Sequence, residues 1–376
     1  MVNGARRDRK RGKYSVLFHK RIFMGLLLLV LLLGSLNVAK AKGWLIPGQP
    51  EVVVDETTEG KRIFLEDLTL EQKIAQMVVV AGGTHNMVAW KNMQIGGIHL
   101  FAKKDGGVYR KTIQDFQEGM TIPFFVTADL EGCLNPFAEF HNSTALGEIK
   151  NVGEAFQKGS DEGKLLHDLG FSVNFAPVVD LVDQIWKCRT FKGDEKQISE
   201  LAEAYILGLQ SQGIIATAKH YPGKALEISD PHKYLVAATV GEKDVYPYVY
   251  LGGKNGVKAV MVTHVIASGI VDSEGKPSVS SVAAIDSLKK DFSGLIVTDD
   301  TMMLGLRKFY GSKEKLYVDV FAAGNDIVLN FDEDPAEIYH MVQVVASAVS
   351  EGEIAEEKID ESVRKILRAK GFVVDG

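Results

Sequence analysis

Two short stretches of this chain carry side chains suited to substitution at an acetal carbon. The apolar run 295–298 ends in Asp299-Asp300, which puts a carboxylate where it can attack or stabilise a carbon that is losing an oxygen leaving group. Asp is also a favoured helix N-cap. The adjacent pair accommodates both uses, with Asp299 as nucleophile and Asp300 as cap or supporting group. Upstream, the loop 219–233 contains Asp230-Pro231-His232. A carboxylate two residues from an imidazole can bond one ring nitrogen, which fixes the tautomer and raises the basicity of the other. Such a histidine can give a proton to a leaving oxygen and then take one from water near neutral pH. Taken alone, an Asp-x-His in a loop is more often a local turn.

These groups need a scaffold that gathers them from distant positions. From about residue 66 the chain alternates short apolar or β-branched runs with longer amphipathic stretches, which is the mark of βα units and a parallel sheet. Eight such runs are found, at 77–81, 97–101, 124–128, 172–176, 216–220, 259–263, 295–298 and 326–329, with helix-like segments such as 195–212 and 335–350 between them. Eight repeats without a second domain predict a closed (β/α)8 TIM barrel, an α/β fold with a single catalytic domain over 66–376. In such barrels the site forms at the carboxyl ends of the strands. The polar residues fall there: Asp129-Leu130-Glu131, Asp180, Lys219-His220, His264 and Asp299-Asp300.

Charge divides the chain. Residues 1–21 carry eight Lys/Arg against Asp8, so with a formal net charge of −6 for the whole chain the remainder is acidic. An acidic body excludes a nucleic-acid backbone as the expected partner, since that requires a Lys/Arg surface. No glycine-rich dinucleotide or phosphate loop occurs, and there is no H-E-x-x-H or H-x-H pair, so no cofactor and no metal are expected.

The basic stretch 1–21 reads as a cytoplasmic n-region. It leads into an apolar run, and 22–41 reads as a signal peptide ending in the small-x-small site Ala39-Lys40-Ala41, or as an uncleaved membrane anchor through residues 22–39. Both readings place the body outside the cytoplasm, because the basic side stays inside. Residues 42–65 are expected as a linker. Cys133 and Cys188 are the only cysteines. In an exported chain they pair as one disulfide or remain as two buried thiols, and the sequence leaves both open. It leaves the oligomeric state open as well.

Lys219-His220-Tyr221-Pro222-Gly223, then Asp230-x-His232, then Val297-Thr298-Asp299-Asp300-Thr301-Met302 resemble the β-N-acetylhexosaminidase branch of glycoside hydrolase family 3. The resemblance runs from about 66 to about 370. It includes Asp129-Leu130-Glu131-Gly132, Asn174 to Leu181, Arg189-Thr190-Phe191, Ala259 to His264 and Ala323 to Leu329. It implies a retaining exo-β-N-acetylglucosaminidase that removes terminal N-acetylglucosamine from cell-wall muropeptides or related glycans. Asp299 would form the covalent glycosyl-enzyme. His232, paired with Asp230, would be acid and then base. Asp129, Arg189, Lys219 and His220 would hold the sugar.

The chain also departs from the family pattern. After Pro-Gly it has Lys224-Ala225-Leu226-Glu227 in place of H-G-D-T, and Cys133 stands where the family has a second glycine. An arginine expected soon after is missing from 134–137. Were Ala225 to need a positive φ, its Cβ would strain the loop that carries Asp230 and His232. Two alternatives therefore stand beside the first reading. One is a family 3 β-glycosidase, transglycosidase or phosphorylase with an altered sugar or acceptor; the other is a non-catalytic surface protein that binds glycans.

Overall fold

The computed structural model describes residues 22–30, 33, 46–58, 60–226, 233–253 and 256–375. Thirteen strands occur among them: β1 (Asp55–Thr57), β2 (Gly60–Phe64), β3 (Val78–Ala81), β4 (Gly97–His99), β5 (Phe125–Ala128), β6 (Val173–Asn174), β7 (Ile215–Tyr221), β8 (Ala237–Val240), β9 (Ala259–Val262), β10 (Ile266–Gly269), β11 (Leu295–Thr298), β12 (Val328–Asn330) and β13 (Val373–Asp375). Eight of them form one parallel sheet in the order β11-β9-β7-β6-β5-β4-β3-β12. Each is one of the eight runs read from the sequence. The residues of β3, β5, β7, β9 and β11 are all buried, as a sheet covered on both faces requires.

The sheet curls into a barrel whose seam lies between β11 and β12. The strands meet there through one parallel bridge, Val297 to Ile327. Thr298 N–H donates to the Ile327 carbonyl at 2.9 Å, and Ile327 N–H to the Ile296 carbonyl at 3.0 Å. A side chain completes the seam. Asp326 accepts the Ile296 N–H at 2.8 Å, the Ser362 hydroxyl at 2.8 Å and the Lys365 ammonium at 3.2 Å. That employment explains why β12 begins at Val328, two residues later than expected: Asp326 serves the seam through its carboxylate.

The helices Val152–Leu169 and Glu195–Ser211 pack against each other behind β6 at glycine contacts. A Cβ on Gly159 would lie 2.1 Å from the Tyr205 carbonyl, and one on Gly208 would lie 2.2 Å from the Phe156 carbonyl. Only glycine admits backbones this close. The expected helices 195–212 and 335–350 correspond to Glu195–Ser211 and Pro335–Ser350.

The second half of the expected linker is part of the folded body. β1 and β2 form a hairpin, and β13 adds to β2 in parallel. Ile63 is fully buried, and Arg62 donates to Asp375 at 2.6 Å. The preceding polar stretch hides this, because pairing with residues more than 300 positions later leaves no local pattern. Within the apolar segment, 22–30 and Leu33 are helical. Among the described residues no helix is long and apolar enough to cross a membrane.

Replacing Asp326 with alanine leaves the Ile296 N–H without its acceptor in the barrel wall. We expect a loss of about 1–3 kcal/mol in urea unfolding, the cost of an unmet buried donor, with Asp326→Asn losing less because an amide oxygen still accepts.

Candidate active site

The carboxyl ends of β5, β6, β7, β9 and β11 present the polar residues named from the sequence. At their centre is Glu131, whose side chain is 1% exposed. A buried carboxylate needs counter-charge and hydrogen bonds, and the segment after β6 and the end of β7 supply them. Arg189 grips Glu131 in a fork, Nε to Oε2 at 2.5 Å and Nη2 to Oε1 at 2.9 Å. Lys219 Nζ lies 2.5 Å from Glu131 Oε1 and 2.6 Å from Asp129 Oδ1. One ammonium thus joins the two carboxylates of Asp129-Leu130-Glu131.

These four residues determine one another's charge. Burial opposes ionisation of Asp129, but Lys219 chiefly, with His99 and Arg189, more than offsets it and holds the carboxyl at about 2. Burial opposes ionisation of Glu131 too, and Lys219 and Arg189 again prevail. Burial opposes protonation of Lys219, yet Asp129 and Glu131 raise its pKa above the ordinary value. All four are charged at neutral pH. Asp129 is the member that reaches solvent, with 40% of its side chain exposed, while Lys219 keeps 3%.

His220 continues the network. Its Nδ1 is 2.7 Å from Asp180 Oδ2, and its Nε2 faces Arg189 Nη2 at 3.5 Å. Asp180 also accepts the backbone N–H groups of His220 and Ala225, at 3.2 and 3.3 Å. On the other side His99 bonds Thr127 Oγ1 through Nδ1 at 2.9 Å and places Nε2 3.6 Å from Asp129. Burial holds the His99 imidazole below its ordinary pKa. Phe101 and Phe331 pack on His99 at 4.7 and 4.9 Å between ring centroids, and Phe101 is 53% exposed at the mouth.

The Asp129-Glu131 turn is held from behind. Asn174 accepts the Leu130 N–H at 2.9 Å and donates to the Leu130 carbonyl at 3.0 Å. It also contacts the Tyr205 hydroxyl, which donates to Glu162 at 2.6 Å, and Glu162 pairs with Lys158 at 2.5 Å. Ser143 bonds Glu162 as well. The close approach of the two rear helices at Gly159 and Gly208 places these groups within reach.

Asp299 follows β11 and is half-buried. Its N–H donates to the Val262 carbonyl at 2.9 Å, and its Oδ1 accepts the Asp300 N–H at 2.8 Å. His264, at the end of β9, reaches the Asp300 carbonyl through Nε2 at 2.9 Å. Asp300 does not cap a helix. Its Oδ1 accepts from Met302 N–H at 3.0 Å and Phe331 N–H at 3.2 Å, while the next helix, Leu304–Phe309, begins after Met303 without a side-chain cap. The supporting half of the expectation for Asp300 describes it, and the capping half does not.

Asp230 and His232 lie outside the described residues. The segment leading to them is described as far as Leu226. Positive φ falls at Gly223 and Lys224, at 95° and 69°, and not at Ala225. Ala225 is instead fully buried with Leu226 and Val178, and Trp186 packs on the three. The condition for strain at Ala225 is not met, and the substitution gives the loop an apolar foothold.

Cys133 and Cys188 are joined as a disulfide. Glu131, Asp180 and Trp186 were not singled out for roles from the sequence. Glu131 had a signal, since an acid two residues from Asp129 on an extended turn points to the same side. Trp186, with Arg189 stacked 4.6 Å from its ring centroid, had none.

Residues 69–369 match the family model described as the Glycosyl hydrolase family 3 N terminal domain. The chain belongs to glycosyl hydrolase family 3. It is 27% identical to a β-N-acetylglucosaminidase/β-glucosidase from Cellulomonas fimi, over 74% of this chain and 53% of that protein. It is also 27% identical to the β-hexosaminidase LpqI of Mycobacterium bovis, over 81% of this chain and 83% of that protein. Thus the chain spans about half the length of the first relative and most of the second. Among solved structures, a family 3 glycosyl hydrolase from Mycobacterium smegmatis superposes with a TM-score of 0.73 at 27% identity, covering 81% of this chain and 98% of that one. A family 3 β-N-acetylglucosaminidase from a Paenibacillus species gives 0.73 at 26% identity, covering 81% of this chain and 62% of that one. Family and fold make this chain a glycoside hydrolase on a (β/α)8 barrel.

Two outcomes follow from the central cluster. Glu131→Ala removes the anion that Arg189 and Lys219 share, so urea unfolding should show a loss of about 3–5 kcal/mol, as for breaking one side of a buried ion pair. Acid unfolding should show the Asp129 contribution separately. Its folded pKa of about 2 lies below the unfolded value near 3.9. The folded state therefore binds fewer protons, and this stabilisation is complete above about pH 4 and lost as pH falls toward 2. Asp129→Asn should lose less stability than the wild type across that window, read by circular dichroism.

Proposed function

We propose that the chain is a retaining exo-β-N-acetylglucosaminidase that acts outside the cytoplasm on N-acetylglucosamine-containing glycans, cell-wall muropeptides among them. One observation carries the reading: the charged set Asp129, Glu131, Arg189 and Lys219 converges at the barrel mouth that also bears Asp299. The names of the relatives, a β-hexosaminidase and β-N-acetylglucosaminidases, support the choice of sugar. The basic stretch followed by an apolar run supports placement outside the cytoplasm, by export or by attachment through residues 22–39.

In this mechanism Asp129, Lys219, His220 and Arg189 hold the terminal sugar, and the exposed Phe101 ring offers an apolar wall to its C–H face. Asp129 accepts hydrogen bonds from the sugar hydroxyls because Lys219 keeps it ionised. Glu131 orients both cations rather than touching sugar, since it is almost wholly enclosed. Asp299 attacks the anomeric carbon as the glycosidic C–O bond breaks, and His232, oriented by Asp230, gives its proton to the leaving oxygen. The same imidazole then takes a proton from water, which releases the sugar with its configuration retained. Neither step requires a cofactor.

Asp299→Ala should lower hydrolysis of a chromogenic N-acetylglucosaminide by at least roughly a thousandfold, in keeping with removal of a covalent nucleophile. A 2-fluoro sugar should label Asp299 in the wild type. Full activity in the variant, or a label on another residue, refutes the assignment. Equal turnover of a glucoside, or turnover that requires phosphate, would replace hexosaminidase with one of the other family activities.

A further inference from the structure

The Cys133–Cys188 bond sits at the two loops that form the charged cradle. Cys133 is two residues after Glu131, and Cys188 immediately precedes Arg189. The cross-link therefore joins the loop after β5 to the segment after β6 at the very residues that make the Glu131–Arg189 fork. Segment 181–190 has no helix and only one bridge, Thr190 to Val178. Its internal order comes from Asp183, which accepts the N–H groups of Trp186, Cys188 and Arg189 at 2.8, 3.0 and 2.9 Å.

The opposite loop turns sharply at Gly132, where φ is 91° and a Cβ would lie 2.4 Å from the Thr144 carbonyl. Each loop is locally ordered, and the disulfide is the covalent tie between them. Cys133 is exposed and Cys188 half-buried, so a soluble thiol can reach the bond.

We propose that Cys133 and Cys188 are positioning residues whose disulfide sets the spacing of Glu131 and Arg189, making the sugar cradle redox-sensitive. A dithiol supplies two electrons and two protons. The sulfur–sulfur bond breaks, Cys133 and Cys188 become thiols, and the reductant closes to its own disulfide. Arg189 then follows a segment tied to Glu131 by the ion pair alone, and the anion shared with Lys219 is held less rigidly. Asp299 follows β11, outside the cross-linked loops. The loss therefore falls on sugar binding more than on the chemical step.

The inference rests on the hydrolase reading above, and two measurements on the full chain keep the two separable. Turnover of a chromogenic N-acetylglucosaminide is compared for oxidised protein, protein reduced with dithiothreitol and protein reoxidised with oxidised glutathione, well below the unfolding temperature. We expect KM to rise about tenfold on reduction with kcat little changed, as for lost ground-state binding, and to recover on reoxidation. The Cys133→Ser/Cys188→Ser double variant should show the raised KM without responding to dithiothreitol.

Hydrogen exchange is followed in parallel. Reduction should speed exchange in peptides covering 129–137 and 182–191 while the barrel strands stay protected. A reduced enzyme with unchanged KM, or loops that exchange as slowly as before, overturns the proposal. Reduction of a cross-link serving stability alone would lower the unfolding midpoint and leave KM in place, which overturns the proposal. Oxidised protein that turns over no glycoside would defeat the hexosaminidase reading by itself, and the exchange comparison would still decide the role of the disulfide.

Discussion

Glu131 is an ionised carboxylate enclosed by protein, and the mouth of the barrel is arranged around the need to neutralise it. An isolated charge in this position would cost several kcal/mol even after relaxation of its surroundings. Arg189, from the segment after β6, makes hydrogen bonds that are also an ion pair, and Lys219, at the end of β7, adds a second ion pair. Lys219 carries the effect outward to Asp129, whose carboxylate stays charged while partly open to solvent. An enclosed anion with no route to substrate thereby determines the charge and orientation of the groups that do face the mouth.

Such a cluster requires a rigid base, because a charge pair that drifts apart loses its compensation. The base consists of backbone and polar groups behind the cluster. Asn174 holds the N–H and the carbonyl of Leu130, Tyr205 accepts from Asn174, and Glu162 holds the Tyr205 hydroxyl. Gly159 and Gly208 contribute by lacking a side chain, since any Cβ would push the rear helices apart. Barrel closure is economical by comparison, with Asp326 supplying at the seam what a single bridge leaves unmet.

Three of the departures from the family pattern, Ala225, Leu226 and Cys133, acquire a common physical account. Ala225 and Leu226 pack against Val178 and Trp186, and Trp186 lies beneath the Arg189 guanidinium. Cys133, in place of a glycine, bonds the residue next to Arg189. Position by position these substitutions look like losses. Together they surround one arginine with apolar and covalent support. Reading Ala225 by its φ angle alone misses this, because the left-handed turn falls at Gly223 and Lys224.

The sequence by itself determined the eight strands, the helices Glu195–Ser211 and Pro335–Ser350, and the strand ends where polar residues collect. These follow from periodicity and chain order, which are local properties. The position of Asp299 at a strand end was legible for the same reason, as a carboxylate ending an apolar run. Tertiary structure alone decided the rest: that Glu131 holds Arg189 and Lys219, that Asp180 holds His220, that two isolated cysteines are one bond, and that residues taken for a linker pair with the C-terminal strand. Each joins positions separated by 40 to more than 300 residues. No local pattern records which buried charge will neutralise another, because that depends on which strand ends the closed barrel brings together.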